Sequence, residues 1–238
     1  MRSRLLVFVF HIIKAIKAKL LWSRLLTSNF KNRLNLTGIL GISVMTMSLV
    51  ATSAQATQTI VVFGDSLSAA YGIQQNEGWV NLLQNKLTQQ KLDYKVVNAS
   101  ISGETTSGGL GRFKAMLETH KPDIVIIELG ANDGLRGLSV KEMHSNLDSM
   151  IKQAKAIKAK VMLLGMRIPP NYGIQYTQQF SETYSNLTKE FDLVLVPFFL
   201  DGVAGNPSLI LDDGLHPRAA AQAKLLENIW PKLEKMLK

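Results

Sequence analysis

Four short polar stretches of this chain carry the residue types that acyl transfer requires. Ser66 lies in G-D-S-L-S (residues 64–68), directly after the apolar run 60–63. A serine hydroxyl is a weak nucleophile, and a tight strand-to-helix turn that exposes it beside a base makes it an effective one. His216, in D-G-L-H-P (213–217), can take that proton near neutral pH. A carboxylate close by can fix the imidazole tautomer and stabilise the imidazolium. Asp212 and Asp213 are adjacent candidates, and the i, i+3 spacing on a Gly-containing turn favours Asp213. Gly103, in N-A-S-I-S-G-E-T-T (98–106), exposes a backbone N–H with no side chain in the way, and Asn132, in G-A-N-D-G (130–134), supplies an amide donor. Together with the Ser66 N–H these would be three donors for the oxyanion of a tetrahedral intermediate. Each stretch alone has a plainer explanation: G-D-S as a polar turn, Asn132 as a turn residue, Asp213 and His216 as a helix-cap or surface pair. Four such accidents at four strand ends of one sheet are much less probable than one.

The elements that would position these residues alternate in type. Residues 60–63 are apolar and mostly β-branched, the pattern of a strand buried on both faces. Further strands are expected at 94–98, 123–129, 160–165 and 193–198, with residues 123–129 (D-I-V-I-I-E-L) the clearest. Helical spacing of apolar residues marks 78–90, 106–119 and 176–191. A long helix is expected over 139–159, with Ser139 as N-cap and Glu142 completing a capping box. A last helix follows Pro217, with Ala219, Ala223, Leu226 and Ile229 as its inner face. Strict βα alternation implies a parallel sheet covered by helices on both sides, and right-handed crossovers favour an open doubly wound sheet of about five strands. The carboxyl ends of such strands converge on one crevice, where all four polar stretches then meet.

Bulk composition narrows the partners. Residues 1–56 hold eight of the 27 Lys and Arg and no acid, so the remainder carries 19 basic against 18 acidic residues. The basic character belongs to that segment and is no argument for a nucleic-acid partner, which would want a basic face on the folded domain. The chain contains no Cys, which excludes disulfides, thiolate chemistry and a lipid-anchored cysteine. Residues 36–51 are apolar, follow Lys31 and Arg33, and end in T-S-A-Q-A (52–56), the layout of a secretory signal peptide cleaved after Ala56. An uncleaved anchor is the alternative, but a span needs about 20 apolar residues and this run is shorter and diluted by Thr, Ser and Gly. Residues 1–30 are basic and amphipathic; they suit an anionic membrane surface, an elongated signal-peptide start or an over-extended reading frame alike. Two parts are therefore expected, a basic extension with signal peptide over 1–56 and one catalytic domain over 57–238, exported to the periplasm or secreted.

In order along the chain, G-D-S-L-S, the glycine of S-G-E-T-T, G-A-N-D-G and D-G-L-H-P resemble the four blocks of the SGNH (GDSL) hydrolase family. G-A-N-D-G-L-R-G and I-P-P-N-Y-G are similar to its bacterial thioesterase, lysophospholipase and arylesterase branch, in which Ala131 stands where glycine is expected. The resemblance implies a three-layer, flavodoxin-like α/β/α sandwich with a shallow groove and no metal or organic cofactor. It also implies Ser66 as nucleophile, His216 as base, Asp213 as its orienting acid, and Ser66, Gly103 and Asn132 as the oxyanion hole. The expected activity is hydrolysis of acyl esters and thioesters, lysophospholipids included, by a monomer in at most transient contact with membranes. Loops 134–139 and 168–176 offer Leu135, Leu138, Ile168, Pro169, Pro170, Tyr172 and Ile174 to an acyl chain, or simply close the core. A carbohydrate O-deacetylase on the same scaffold would want aromatic platforms, and the domain's two Trp, Trp79 and Trp230, fall inside expected helices. A non-catalytic phosphate-binding module would want a glycine-rich cradle with an adjacent basic residue, which G-D-S lacks.

Overall fold

The computed structural model describes residues 57–237. The basic extension and the signal peptide expected in residues 1–56 lie outside the described residues. Five strands form one wholly parallel sheet: β1 (Gln58–Gly64), β2 (Tyr94–Asn98), β3 (Ile124–Glu128), β4 (Lys160–Leu164) and β5 (Val194–Val196). Their order is β2-β1-β3-β4-β5. This is the doubly wound arrangement in which the winding reverses between β1 and β3, opening a crevice at the carboxyl ends of those two strands. Val62 pairs with Asn98 on one side and Ile126 on the other, so Gly64 and Glu128 end level with each other at the crevice.

Helices α1 (Trp79–Gln89), α2 (Thr106–His120), α4 (Val140–Ala156), α5 (Ile174–Phe191) and α6 (Gln222–Leu233) cover the sheet, and a single turn, α3 (Ala131–Leu135), follows β3. Central strands buried on both faces explain why residues 60–63 and 124–127 read as unbroken apolar runs: all eight are at most 2% exposed. On one helix layer Phe113 meets Phe63 edge to face at 4.9 Å, and on another Trp79 meets Phe199 at 5.6 Å. These aromatic contacts lock α1 and α2 onto the core.

Several local expectations are corrected by backbone chemistry. The long helix ends at Ala156, not 159, because Lys158 adopts a left-handed φ of +65° that no helix continues through. Ser139 does cap it, accepting from the Glu142 N–H at 3.3 Å. Strand β5 stops at Val196, before Pro197, which has no N–H for the ladder. The inner face of α6 is Leu225, Leu226, Ile229, Trp230 and Leu233, whereas Ala223 is exposed. Gln222 is buried there instead, its amide oxygen accepting from the Trp79 N–H at 3.0 Å and so tying α6 to the start of α1. G-A-N-D-G, expected as a loop, forms α3. Gly130 allows the turn with φ +116°, at a place where an added Cβ would stand 2.3 Å from the Tyr184 hydroxyl.

Candidate active site

The chain leaves β1 at Gly64 and enters a run of tight turns over residues 65–72 rather than a helix. Asp65 stabilises the first of them: its Oδ1 accepts from Leu67 N–H at 3.0 Å and its carbonyl from Ala69 N–H at 2.9 Å. Ser66 projects from that turn into the crevice. Its Oγ lies 2.8 Å from His216 Nε2, and His216 Nδ1 lies 2.7 Å from Asp213 Oδ2. The loop carrying the pair is pinned by Leu211 N–H donating to the His216 carbonyl at 2.7 Å and by Gly214 turning at φ +74°.

The two neighbouring aspartates separate cleanly. Asp213 Oδ1 accepts the backbone N–H of Leu215 (2.9 Å) and of His216 (3.0 Å) while Oδ2 faces the imidazole. The His216 N–H, the Leu215 N–H and the His216 ring, in that order, pull its carboxyl down to about 2. Asp212 points away, with a 98% exposed side chain paired to Arg218 at 2.6 Å. A contact that sequence reasoning missed is Tyr71, whose ring lies 4.3 Å from that of His216, tilted by 39°. No spacing signal links residues 71 and 216; only the fold brings them together.

Of the three expected oxyanion donors, Ser66 and Asn132 line the same cavity as His216. Among the described residues, neither the Ser66 N–H nor the Gly103 N–H has an acceptor. Gly103 takes φ +79°, a conformation that favours glycine, and its carbonyl accepts from Arg136 at 2.9 Å. Asn132 Nδ2 already has one partner: it donates to Asp65 Oδ2 at 3.1 Å. One amide hydrogen remains for a ligand. Buried Asp133 joins the second and third polar stretches, accepting from Thr106 N–H at 2.9 Å and Thr106 Oγ1 at 2.5 Å. Glu104 pairs with Arg112, which also donates to the Ala99 carbonyl at 2.7 Å and anchors the Gly103 loop on α2.

Beside the triad lies a cavity of about 340 Å³ lined by Leu135, Ile168, Pro169, Leu200, Ile210 and Leu215. Of the two loops expected to offer apolar surface, Leu135, Ile168 and Pro169 reach it. Tyr172 does not; it closes the wall by donating to the Leu135 carbonyl at 2.8 Å. Leu200 and Ile210, on the far side, come from the long segment after β5 that carried no sequence signal. A larger groove, about 1220 Å³, lies at the amino ends of the strands, where Gln58, Asp123 and Lys160 line it, remote from this chemistry. Among the described residues no cluster of three His, Cys, Asp or Glu is placed to hold a metal ion.

Residues 62–224 match the GDSL-like Lipase/Acylhydrolase family. The chain belongs to that family. It is 50% identical over 189 residues to Esterase TesA of Pseudomonas aeruginosa, a match covering 79% of this chain and 94% of that protein. It is 39% identical over 189 residues to Thioesterase 1/protease 1/lysophospholipase L1 of Escherichia coli, covering 79% and 89%. Among solved structures, the psychrotrophic esterase EstA from Pseudoalteromonas sp., inhibited by monoethylphosphonate, superposes with a TM-score of 0.72 at 44% identity, covering 75% of this chain and 98% of EstA. The chain is a hydrolase of that family, with a parallel five-stranded α/β fold.

Proposed function

We propose that this protein is an exported serine esterase that cleaves acyl esters and thioesters, lysophospholipids included, through an acyl-enzyme on Ser66. The observation that carries the reading is the unbroken hydrogen-bond chain Ser66 Oγ–His216–Asp213, at 2.8 and 2.7 Å, opening beside an apolar cavity. Asp213 holds the imidazole with its proton on Nδ1, leaving the Nε2 lone pair for the serine proton. As Oγ attacks the ester carbonyl, His216 takes that proton and the carbonyl oxygen gains charge against the Ser66 N–H, the Gly103 N–H and the Asn132 amide. Collapse of the tetrahedral intermediate expels the alcohol or thiol, which leaves with the proton from His216. Water then repeats the sequence, its proton passing to His216 and its oxygen to the acyl carbon, and free acid and Ser66 are regenerated.

The names of the relatives, an esterase and a thioesterase/lysophospholipase, support esters and thioesters as the substrate class. The aromatic platforms a sugar deacetylase would want are missing from Trp79 and Trp230, which are 0% and 9% exposed within α1 and α6. A panel of p-nitrophenyl esters of graded chain length, acyl-CoA thioesters, lysophosphatidylcholine and acetylated xylan tests the class. Turnover of the acyl esters and thioesters, varying with chain length, is expected; turnover confined to acetylated xylan would move the reading to a deacetylase.

The apolar run 36–51 behind Lys31 and Arg33, ending in T-S-A-Q-A (52–56), supports a mature chain that starts at Thr57 and acts in the periplasm or outside the cell. Among the described residues no helix is long and apolar enough to cross a membrane. Intact mass of the protein recovered from the periplasm or medium should match residues 57–238. A full-length membrane-bound species as the only form would contradict export by cleavage.

A further inference from the structure

The triad and the oxyanion donors leave the fully buried carboxyl of Asp65, at the crevice, without a role. Its Oδ1 is taken by the Leu67 N–H at 3.0 Å, and its Oδ2 accepts from Asn132 Nδ2 at 3.1 Å. Behind it, at the end of β3, lies Glu128, also 0% exposed. Glu128 Oε2 accepts from the Asp65 N–H at 3.2 Å and from Ser68 Oγ at 2.8 Å, whereas no group donates to the buried Oε1. Two carboxyls packed together away from water do not both ionise. Burial first, and the neighbouring Asp65 charge second, push Glu128 well above the usual carboxylate range. Burial also raises Asp65, to about 6, but the bonds from Leu67, Glu128 and Asn132 oppose the rise, and it is anionic at neutral pH. The other polar groups of this corner are committed elsewhere: Tyr184 of α5 donates to the Leu129 carbonyl at 2.9 Å and Asp133 is bound to Thr106.

An asparagine amide is a hazard as an oxyanion donor. Its oxygen and nitrogen are nearly the same size, and a half-turn of the amide replaces a donor with an acceptor. Facing a developing negative charge, that exchange turns attraction into repulsion. A carboxylate can only accept, so the amide edge turned to Asp65 must be the nitrogen. One of its hydrogens is then used by Asp65 and the other points away from it. We propose that Asp65 is a positioning residue for the oxyanion hole: its buried carboxylate fixes the orientation of the Asn132 amide so that an N–H, not the carbonyl oxygen, faces the reacting centre. The inference deepens the esterase reading and rests on Asn132 acting as an oxyanion donor.

A double-mutant cycle tests it. In Asp65→Asn the Leu67 N–H still requires an oxygen, which turns the new amide nitrogen toward Asn132 and draws the Asn132 oxygen to it. Asn132→Ala is expected to lower kcat by ~10²–10³ with little change in KM. Asp65→Asn should lower kcat by a similar factor, again at nearly constant KM. The double variant should fall within about threefold of the weaker single variant, because both changes remove the same donor. Asp65→Asn within threefold of wild type, or single effects that multiply in the double variant, would overturn the proposal while leaving the esterase reading intact. Asn132→Ala within threefold of wild type would instead remove Asn132 from the oxyanion hole, and this inference with it. Should Asp65→Asn not fold, the wild-type protein carries the test through ¹⁵N-edited NMR of the Asn132 side chain. One Asn132 amide proton shifted downfield well beyond the ordinary separation of an asparagine NH2 pair, before any ligand is added, is expected; a pair at the ordinary shifts of a solvent-exposed asparagine would contradict a fixed amide.

Discussion

Ser66→Ala is expected to reduce kcat by about 10⁶, the loss seen when a serine and its histidine act as one unit. The size of the effect follows from the geometry. Ser66 Oγ is the atom 2.8 Å from His216 Nε2, so removing it removes the nucleophile and leaves the base with nothing to deprotonate. Activity that survives would come from the oxyanion donors acting on bound substrate with water as nucleophile. Neighbouring hydroxyls cannot substitute. Ser68 is 2% exposed and donates to Glu128 at 2.8 Å, turned away from the imidazole. Folding should be little changed, since the Ser66 hydroxyl bonds to His216 and not to the turn that carries it. Steady-state kinetics with a p-nitrophenyl ester, beside a thermal melt, measures this directly; a loss below tenfold in folded protein would mean that another group makes the acyl-enzyme.

Asp213→Asn is the second large effect, a fall in kcat of up to ~10⁴. Asp213 Oδ1 accepts two backbone N–H groups, so in the variant the amide oxygen must remain there. The amide nitrogen then faces His216 Nδ1 and donates to it, forcing the ring proton onto Nε2. That tautomer cannot accept the Ser66 proton. Asp212→Asn serves as the comparison: Asp212 lies in solvent, exposed ion pairs are worth ~1 kcal/mol or less, and activity should stay within about threefold. The reverse ranking would transfer the acid role to Asp212. The depressed carboxyl of Asp213 fixes the sign of its pH dependence as well. A folded-state value of about 2, below the ordinary 3.8, means its stabilising contribution is complete above pH 3.8 and disappears as pH falls through 2. Activity lost on acidification above pH 4 is therefore not due to Asp213.

Much of the fold was legible because strand order follows from alternation and burial. The runs at 60–63 and 124–127 announce central strands, and glycine or a polar turn at each carboxyl end announces the crevice. Element ends were less legible, since they depend on single backbone choices such as the left-handed Lys158 or the missing N–H of Pro197. Ser66, His216 and Asp213 meet in one hydrogen-bonded chain and Asn132 lines the same cavity, because the sheet topology gathers the strand ends they follow. What stayed hidden was the support beneath them. Asp65 and Glu128 read as an acid in a turn and an acid in an apolar strand; only the parallel register that sets Gly64 beside Glu128 makes them neighbours. The Asp65–Asn132 bond spans 67 positions, and no local spacing rule reaches that far. Leu200 and Ile210 were missed for the same reason, lying on a long irregular segment whose burial is decided by its neighbours.

Covalent labelling tests the central assignment most directly. Mature protein treated with an organophosphonate ester should gain the mass of one phosphonyl group, lose its esterase activity in step with the label, and carry that label on the peptide containing Ser66. The relative EstA, whose solved structure is inhibited by monoethylphosphonate, sets the choice of reagent. Ser66→Ala should take up none. A label on Ser68 or Ser102, or full inactivation with Ser66 unmodified, would contradict Ser66 as the nucleophile.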